Sequence, residues 1–461
     1  MIILDPGEPG PLYLQIATRL RAAIATGTLA AGARLPSART LSAQLGVARG
    51  TIDAAYDMLA GEGAIEPRGA AGTIVAAQIN HVGAVEPGLG LEKARAKPRE
   101  IPIPLQPGLP ALDVFPRKLW SALTARAARA MGDADLVYPD PSGAMALREE
   151  IVGYLGLARG FICAPHQVIV TSGYQGGLTL IRQVLLKQGD AVWVEDPGHP
   201  RAFQALELGG ASLVPVPVDQ EGMRVPSGIA AAPKAKLAVV TPTHQSPLGV
   251  SLSLPRRIAL LEWAREARAW IVEDDYDAEY RYTGPIPPSL KSLDRAERVI
   301  FAGSFSKTLF PGLRLGYLVV PDALVEGFTR AARLVTRGPP LLSQNVTANF
   351  MAGGHFARHV KRMRGLYARR RAALAEALSD AGFTVDRTAG GMHLLLRLPE
   401  GIDEGEAVRR ALKRGLAPTS LAGMSIAFDA GRGLILGFTN VREEDAARVV
   451  ARLREAVAMP V

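Results

Sequence analysis

Apolar positions along the chain follow two different rhythms. Between residues 35 and 76 they recur at helical spacing, with Leu41 and Leu45 four apart and Ile52, Tyr56 and Leu59 at i, i+4 and i+7. That spacing lines one buried helix face. Ser37 precedes the first run as an N-cap, Gly46 supplies a tight turn, and a second helix starts near Arg49. Downstream, AIEPRGAAGTIVA reads as two short strands around a Gly-rich tip carrying Arg68, which makes a winged hairpin.

From about residue 105 the rhythm becomes one of short, continuous apolar runs: QVIVT (167–171), AVWVE (191–195), LAVVT (237–241), AWIVE (269–273), RVIFAG (298–303) and LGYLVV (315–320). Helical stretches such as GGLTLIRQVLLKQG and PRRIALLEWAREA lie between them. Alternation of this kind predicts a mostly parallel α/β sheet covered on both faces. Near residue 335 a long amphipathic helix begins, followed by a smaller α+β pattern, VDRTAGGMHLLLRL and LILGF. Three parts are therefore expected: a helix-rich domain at 11–77, a Gly/Pro/charge-mixed linker at 78–104, and a large region at 105–461 with a small subdomain from about 335.

Composition adds limits. The 461 residues, 48% hydrophobic and 21% charged, fit an ordinary globular chain of about three domains. No apolar run approaches the roughly 20 residues that cross a bilayer, and MIILDPGEPG lacks the features of a signal peptide. The single Cys163 excludes an internal disulfide framework and any CxxC motif. A cytoplasmic protein is expected, with no membrane partner. The net charge is +9, yet residues 1–80 carry six basic and six acidic residues. The densest basic run, RHVKRMRGLYARRR (358–371), reads as a solvated helix face. Charge alone does not identify a nucleic-acid binder.

The N-terminal pattern does. A helix in the major groove reads with its first residues, so Arg49, Gly50 and Thr51 form the reading edge. LPSAR, LGVARGT, AYDMLAGEG and the GT-containing wing together resemble the GntR-type winged helix-turn-helix. The resemblance implies a double-stranded DNA partner, with Arg39 and Arg49 on phosphate or base and Thr51, Arg68 and Gly69 beside them. Ala48 departs from the usual hydroxyl cap, and Asp53 and Asp57 put carboxylates where phosphates would repel them.

GSFSKTLFPGLRLGY (303–317) carries the second chemistry. Lys307 follows the end of one strand run and Asp274 the end of another, and ligand crevices lie at such ends in parallel sheets. A lysine with Ser304 at −3, Ser306 at −1 and Arg314 at +7 suits pyridoxal 5'-phosphate (PLP): the amine forms a Schiff base while Ser304, Ser306 and Arg314 hold the phosphate. Asp274 would sit on the pyridine nitrogen and Tyr276 on the ring oxygen. TSGYQGGL (171–178) runs from a strand into a helix, so Gly173, Tyr174 and Gln175 form an anion cup.

From about residue 105 to the end, YPDPSGAMALREEI, EDPGHP, TPTHQSPLGV and EDDYDAEYRY join the lysine motif in resembling fold-type I aminotransferases, PLP-dependent transferases with a large α/β/α and a small α+β domain. Combined with the GntR-type reader, and with THQSPLG and GGHFARHVKRMR, the chain resembles the MocR family of bacterial transcription regulators. That implies a PLP-binding regulator and a head-to-tail, domain-swapped homodimer in which Tyr138 reaches the partner's phosphate group. It also implies a small amine or amino acid as a candidate effector.

His199 stands where a tyrosine usually stacks on the PLP ring, Arg201 matches a carboxylate-contacting position, and His244 and Gln245 fall where an asparagine lies beside the ring oxygen. In LILGF, Ile435 occupies the usual place of the arginine that clamps a substrate α-carboxylate. Without a bidentate clamp, efficient transamination is not expected. Two metal readings are weaker. The run Glu273, Asp274, Asp275 and Asp277 lacks a P-loop for Mg²⁺, and His355 and His359 lack the glutamate of HExxH. A working aminotransferase and a constitutive repressor with structural PLP remain the alternatives to a PLP-responsive regulator.

Overall fold

The computed structural model describes residues 10–77, 102–386 and 388–457. It divides into two compact units, Met1–Arg99 and Glu100–Val461. Most of the expected linker, 78–101, lies outside the described residues.

In the first unit, helices α1 (Leu12–Ala25), α2 (Ala38–Leu45) and α3 (Arg49–Gly61) accompany strands β1 (Arg34–Leu35), β2 (Ile65–Pro67) and β3 (Thr73–Val75), in sheet order β1-β3-β2. Leu41, Ile52, Tyr56 and Leu59 are buried with Ile16, Leu20 and Ile24 of α1, so the periodic face is the core. Ser37 caps α2 by accepting from the Thr40 N–H at 3.1 Å, and Gly46 ends that helix in the left-handed region. Tyr56 donates its hydroxyl to the Pro36 carbonyl at 2.8 Å, tying α3 to the residue before that cap. Ala48 leaves the N-terminus of α3 without a side-chain cap.

The second unit holds an eight-stranded sheet: β4 (Val168–Thr171), β5 (Ala191–Asp196), β6 (Ser212–Asp219), β7 (Gly222–Met223), β8 (Leu237–Val240), β9 (Trp270–Asp275), β10 (Val299–Ser304) and β11 (Gly316–Val319). The order is β4-β11-β10-β9-β8-β5-β6-β7. The pairs from β10 through β6 are parallel, whereas β11 runs against both neighbours. The expected LGYLVV strand is thus the reversed member. Residues 212–219 form a strand despite Pro215 and Pro217. Two residues apart, both prolines turn their missing N–H to the same side, and β6 pairs with β7 only at its last two residues, Val218 and Asp219. An open edge tolerates them.

Four further strands, β12 (Thr384–Asp386), β13 (His393–Arg397), β14 (Thr419–Ser420) and β15 (Gly433–Gly437), make a smaller sheet in the order β12-β13-β15-β14. Its core draws in Leu105, Ala111 and Tyr280 from far upstream in the chain. Along helix His355–Asp380, Arg358, Lys361, Arg362 and Arg369 face solvent. Arg370 does not: it is buried, 2.6 Å from Asp113. Among the described residues no helix is long and apolar enough to cross a membrane.

Ala48→Ser should supply the missing acceptor at α3 and stabilise the first unit by about 0.5–1 kcal/mol. Calorimetry of the full chain should show that unit's transition moving up while the second unit's stays in place.

Candidate functional site

Parallel pairing builds the site. In the β9–β10 ladder Asp274 lies opposite Ala302, so the acidic strand end sits beside the turn that leads into Lys307. Lys307 rides the short helix Phe305–Thr308, which Ser304 caps by accepting the Ser306 N–H at 3.2 Å. Its Nζ donates to the Gly108 carbonyl at 2.8 Å. Gly108 has φ +77, and a Cβ there would come within 2.6 Å of that nitrogen, so the approach requires glycine. Burial holds the Lys307 amine below its ordinary proton affinity; Asp277 and then Asp274 oppose the shift, and Arg201 adds to it.

Asp274 is buried and accepts the Tyr174 hydroxyl. Desolvation pushes its pKa up to about 8. Tyr174 therefore presents its side chain to the carboxylate, and only its backbone belongs to the expected anion cup. The cup itself is assembled at α6 in this numbering, where α4 is Arg117–Arg129, α5 is Met145–Arg159 and α6 is Gly173–Leu185. Gly173 and Gln175 lie in its first turn. Arg314, exposed at the surface, donates to the Ser172 carbonyl at 3.2 Å, and a Cβ on Gly173 would lie 3.8 Å from its guanidinium carbon. A helix N-terminus and a guanidinium with no ion pair among the described residues thus converge.

The four carboxylates of the acidic run part company. Glu273 accepts the Leu290 and Lys291 N–H groups at 2.8 and 2.9 Å. Asp275 pairs with the buried Arg159 at the end of α5. Asp277 sits 3.2 Å from His244 Nδ1, the same nitrogen that lies 3.0 Å from the Tyr276 hydroxyl. They do not converge on one point as cation ligands must. His355 bonds Arg358 at 2.8 Å, while His359 is buried against Phe115 and Phe350.

His199 caps the helix Pro200–Glu207, its Nδ1 accepting the Arg201 N–H at 3.2 Å. Burial, helped by the charges of Lys307 and Arg201, pushes its pKa down to about 4, so the ring is neutral at pH 7. Tyr174 and His199 are neighbours, with ring centroids 6.4 Å apart. Arg201 is solvent-exposed but close enough to act on both His199 and Lys307. Gln245 is buried and bonds the Pro197 carbonyl at 2.8 Å, making it a brace for the EDPGHP turn.

Ile435 pairs with Leu395, and His393 with Gly437, so these four lie on one face of the small sheet. His393 donates from Nε2 to the Pro247 carbonyl at 2.8 Å and neighbours His244, their ring centroids 5.3 Å apart. On that same face Ile435 is buried with Leu395 and Leu421. The position of the usual arginine is thus packed with hydrocarbon.

Tyr138 is 76% exposed, lies beside the exposed Leu136 and Val137, and packs its ring under Arg337 at 4.2 Å. In the first unit Arg39, Arg49, Arg68 and Gly69 are exposed and Thr51 is half-buried. Asp53 stands 3.5 Å from Arg49, and Glu66 stands 3.1 Å from Arg68. Instead of standing alone, the Asp53 carboxylate is a partner for the predicted reading arginine.

Sequence reasoning missed Gly108, His393 and the role of Asp196. QPGLP (106–110) held a turn signal for the first, and nothing local marked the second. Asp196, within EDPGHP, accepts three consecutive backbone N–H groups, from Ile426, Ala427 and Phe428 at 2.9, 2.7 and 3.0 Å. These come from the loop between β14 and β15.

Burial raises Glu195 and Glu273 to about 7 and Asp274 to about 8. These groups hold protons in the folded state that the unfolded chain releases near pH 4, so stability falls as pH rises from about 4 through 8. Urea unfolding of ligand-stripped protein should show a slope on the order of 1 kcal/mol per pH unit between about pH 6 and 8. Asp274→Asn should flatten it.

Comparison with known proteins places both units. Residues 12–75 match the gntR family of bacterial regulatory proteins, and residues 111–422 match the class I and II aminotransferases. The chain is 37% identical to the probable rhizopine catabolism regulatory protein MocR of Rhizobium meliloti, over 99% of this chain and 96% of that protein. It is 34% identical to the HTH-type pyridoxine biosynthesis transcriptional regulator PdxR of Corynebacterium glutamicum, over 99% and 98%. The crystal structure of Pyrococcus horikoshii kynurenine aminotransferase superposes with a TM-score of 0.70 at 32% identity, covering 77% of this chain and 90% of that one. A winged helix-turn-helix joined to a lysine-centred aminotransferase crevice, in relatives that match end to end, makes this chain a member of the MocR family of transcription regulators.

Proposed function

We propose that PLP occupies the crevice around Lys307 and that its occupancy sets how this regulator binds DNA in the cytoplasm. The observation that carries the reading is the convergence of a desolvated amine, a buried carboxylate and an anion cup at the ends of neighbouring strands. The residues fit the group. Lys307 would bind it covalently, Asp274 would face the ring nitrogen once Tyr174 releases it, and Tyr276 and His244 would serve the ring oxygen. His199 would lie against the ring face. Gly173, the Tyr174 and Gln175 backbone, Ser304, Ser306 and Arg314 would take the phosphate.

When bound, PLP supplies an aldehyde for amines and an electron-withdrawing ring. This chain's residues desolvate the site, hold the lysine against Gly108 and keep His199 neutral. With Ile435 packed in hydrocarbon, they offer no second guanidinium there to orient an α-amino acid. That favours a sensing site over a turnover site. Arg201 remains as the carboxylate contact for a small amine or amino acid effector.

A head-to-tail homodimer would bring Tyr138 to the partner's phosphate cup, and the exposed Leu136–Tyr138 stretch supports such an interface. Two winged domains would then span paired half-sites. A ligand can shift that spacing only by its differential affinity for two arrangements, and about 1–3 kcal/mol suffices.

Band-shift titration with DNA upstream of the protein's own gene is the test, with PLP stripped and then restored. PLP should change affinity about 5-fold or more, and Lys307→Ala should abolish the change while DNA is still bound. Binding indifferent to PLP in both proteins overturns the reading, and multiple-turnover transamination would favour an enzyme instead. Separately, Arg49→Ala should lower the slope of log affinity against log salt by about 1.

A further inference from the structure

Arg34 opens β1 opposite Ile74 of β3. Gly72, two residues before Ile74, lies diagonally across that ladder, within reach of a long side chain. The arginine makes that reach: a Cβ on Gly72 would stand 2.8, 3.1 and 3.3 Å from its Nε, Nη2 and Cζ. The guanidinium is therefore laid against the backbone at Gly72, with Nη1 the farthest of its three nitrogens. Only glycine, here at φ +88, leaves room for it.

The residue under the guanidinium also closes the wing tip. The Gly72 carbonyl accepts the Arg68 N–H at 2.8 Å, and the Gly72 N–H donates to the Gly69 carbonyl at 3.1 Å. Packing thus ties Arg34 to the turn that carries Arg68 and Gly69, the two wing residues expected on DNA. Its charge is uncompensated. Arg21 has Glu62 at 2.6 Å, Arg49 has Asp53 at 3.5 Å and Arg68 has Glu66 at 3.1 Å. Arg34 is exposed, and among the described residues it has neither a carboxylate at ion-pair distance nor an acceptor for its N–H groups. With Glu66 balancing Arg68, the net positive charge of the wing is that of Arg34.

We propose that Arg34 is a phosphate contact that anchors the wing on double-stranded DNA. A guanidinium already packed in place loses little freedom when it binds. Its Nε and Nη2 edge is turned to the wing, which leaves less of the fork for a base edge, and most protein–DNA hydrogen bonds go to the backbone. The inference rests on the DNA-binding part of the proposed function and not on PLP.

The test is the salt dependence of DNA binding by the full-length protein, with PLP held constant. Two duplexes of equal length serve as probes, one from upstream of the protein's own gene and one of unrelated sequence. Arg34→Gln keeps the length of the stem and removes the charge. It should lower the slope of log affinity against log salt by about 1 per bound winged domain, on both duplexes. Arg34→Lys should keep most of the slope. Arg21→Gln removes the same charge beside Glu62 and should leave the slope as in wild type. An unmoved slope in Arg34→Gln overturns the inference, as does a loss confined to the upstream duplex, which marks a base contact. A fall in Arg34→Lys as large as in Arg34→Gln points to wing support alone, and an equal fall in Arg21→Gln to net charge; either also overturns it. Wild type that binds neither duplex at low salt removes the DNA-binding reading together with this inference. Wild type that binds, with Arg34→Gln unchanged, removes this inference alone.

Discussion

Parallel pairing of β9 with β10 is the constraint on which the rest of the second unit depends. It delivers a carboxylate and a lysine turn to the same end of the sheet, where neither can keep full hydration. Both groups shift toward neutrality through desolvation: Asp274 upward and Lys307 downward. A site with these properties is costly to fold and reactive once folded. The surrounding structure can be understood as containment of that cost. Gly108 supplies a carbonyl to the amine, Tyr174 a hydroxyl to the acid, and Ser304 a cap for the helix that carries the lysine.

A second buried ionic group lies just behind. Arg159 meets Asp275 and Glu279, and Glu279 accepts the Tyr154 hydroxyl at 2.6 Å. Networks of this kind contribute less to stability than their distances suggest, because both partners lose water. Their value here is positional. Asp275 and Glu279 flank Tyr276 and Asp277, and Asp274 adjoins Asp275, so Arg159 pins the chain immediately after Asp274 and again after Asp277.

Much of this was legible in the sequence, and the misses have physical causes. Helical spacing at Ile52, Tyr56 and Leu59 defined a buried face because one side of that helix must leave water. The apolar runs at 191–195 and 269–273 marked central strands because both of their faces are covered. Residues 212–219 escaped because two prolines suppress a strand signal, and only the fold shows that they face an open edge. In the site, Lys307, Asp274 and Arg314 stood out because their spacing within strand-turn motifs carries chemistry. His393 did not, since a histidine in MHLLLRL resembles any core position until the small sheet is folded over the crevice. Asp277 was visible only as one acid among four. Which neighbour each of the four meets, His244 in the case of Asp277, is a property of three-dimensional packing.

The clamp at Asp196 has a mechanical consequence. One fully buried carboxylate gathers three successive amides of the β14–β15 loop, and Gly198 donates to the Met424 carbonyl at 2.9 Å alongside. The small sheet cannot pivot away from the large one at this point without breaking these bonds together. Any tilting of the small lobe must therefore either hinge about this joint or carry the His199 turn with it. The joint thus fixes the one place where the small sheet and the His199 turn must move as a single piece.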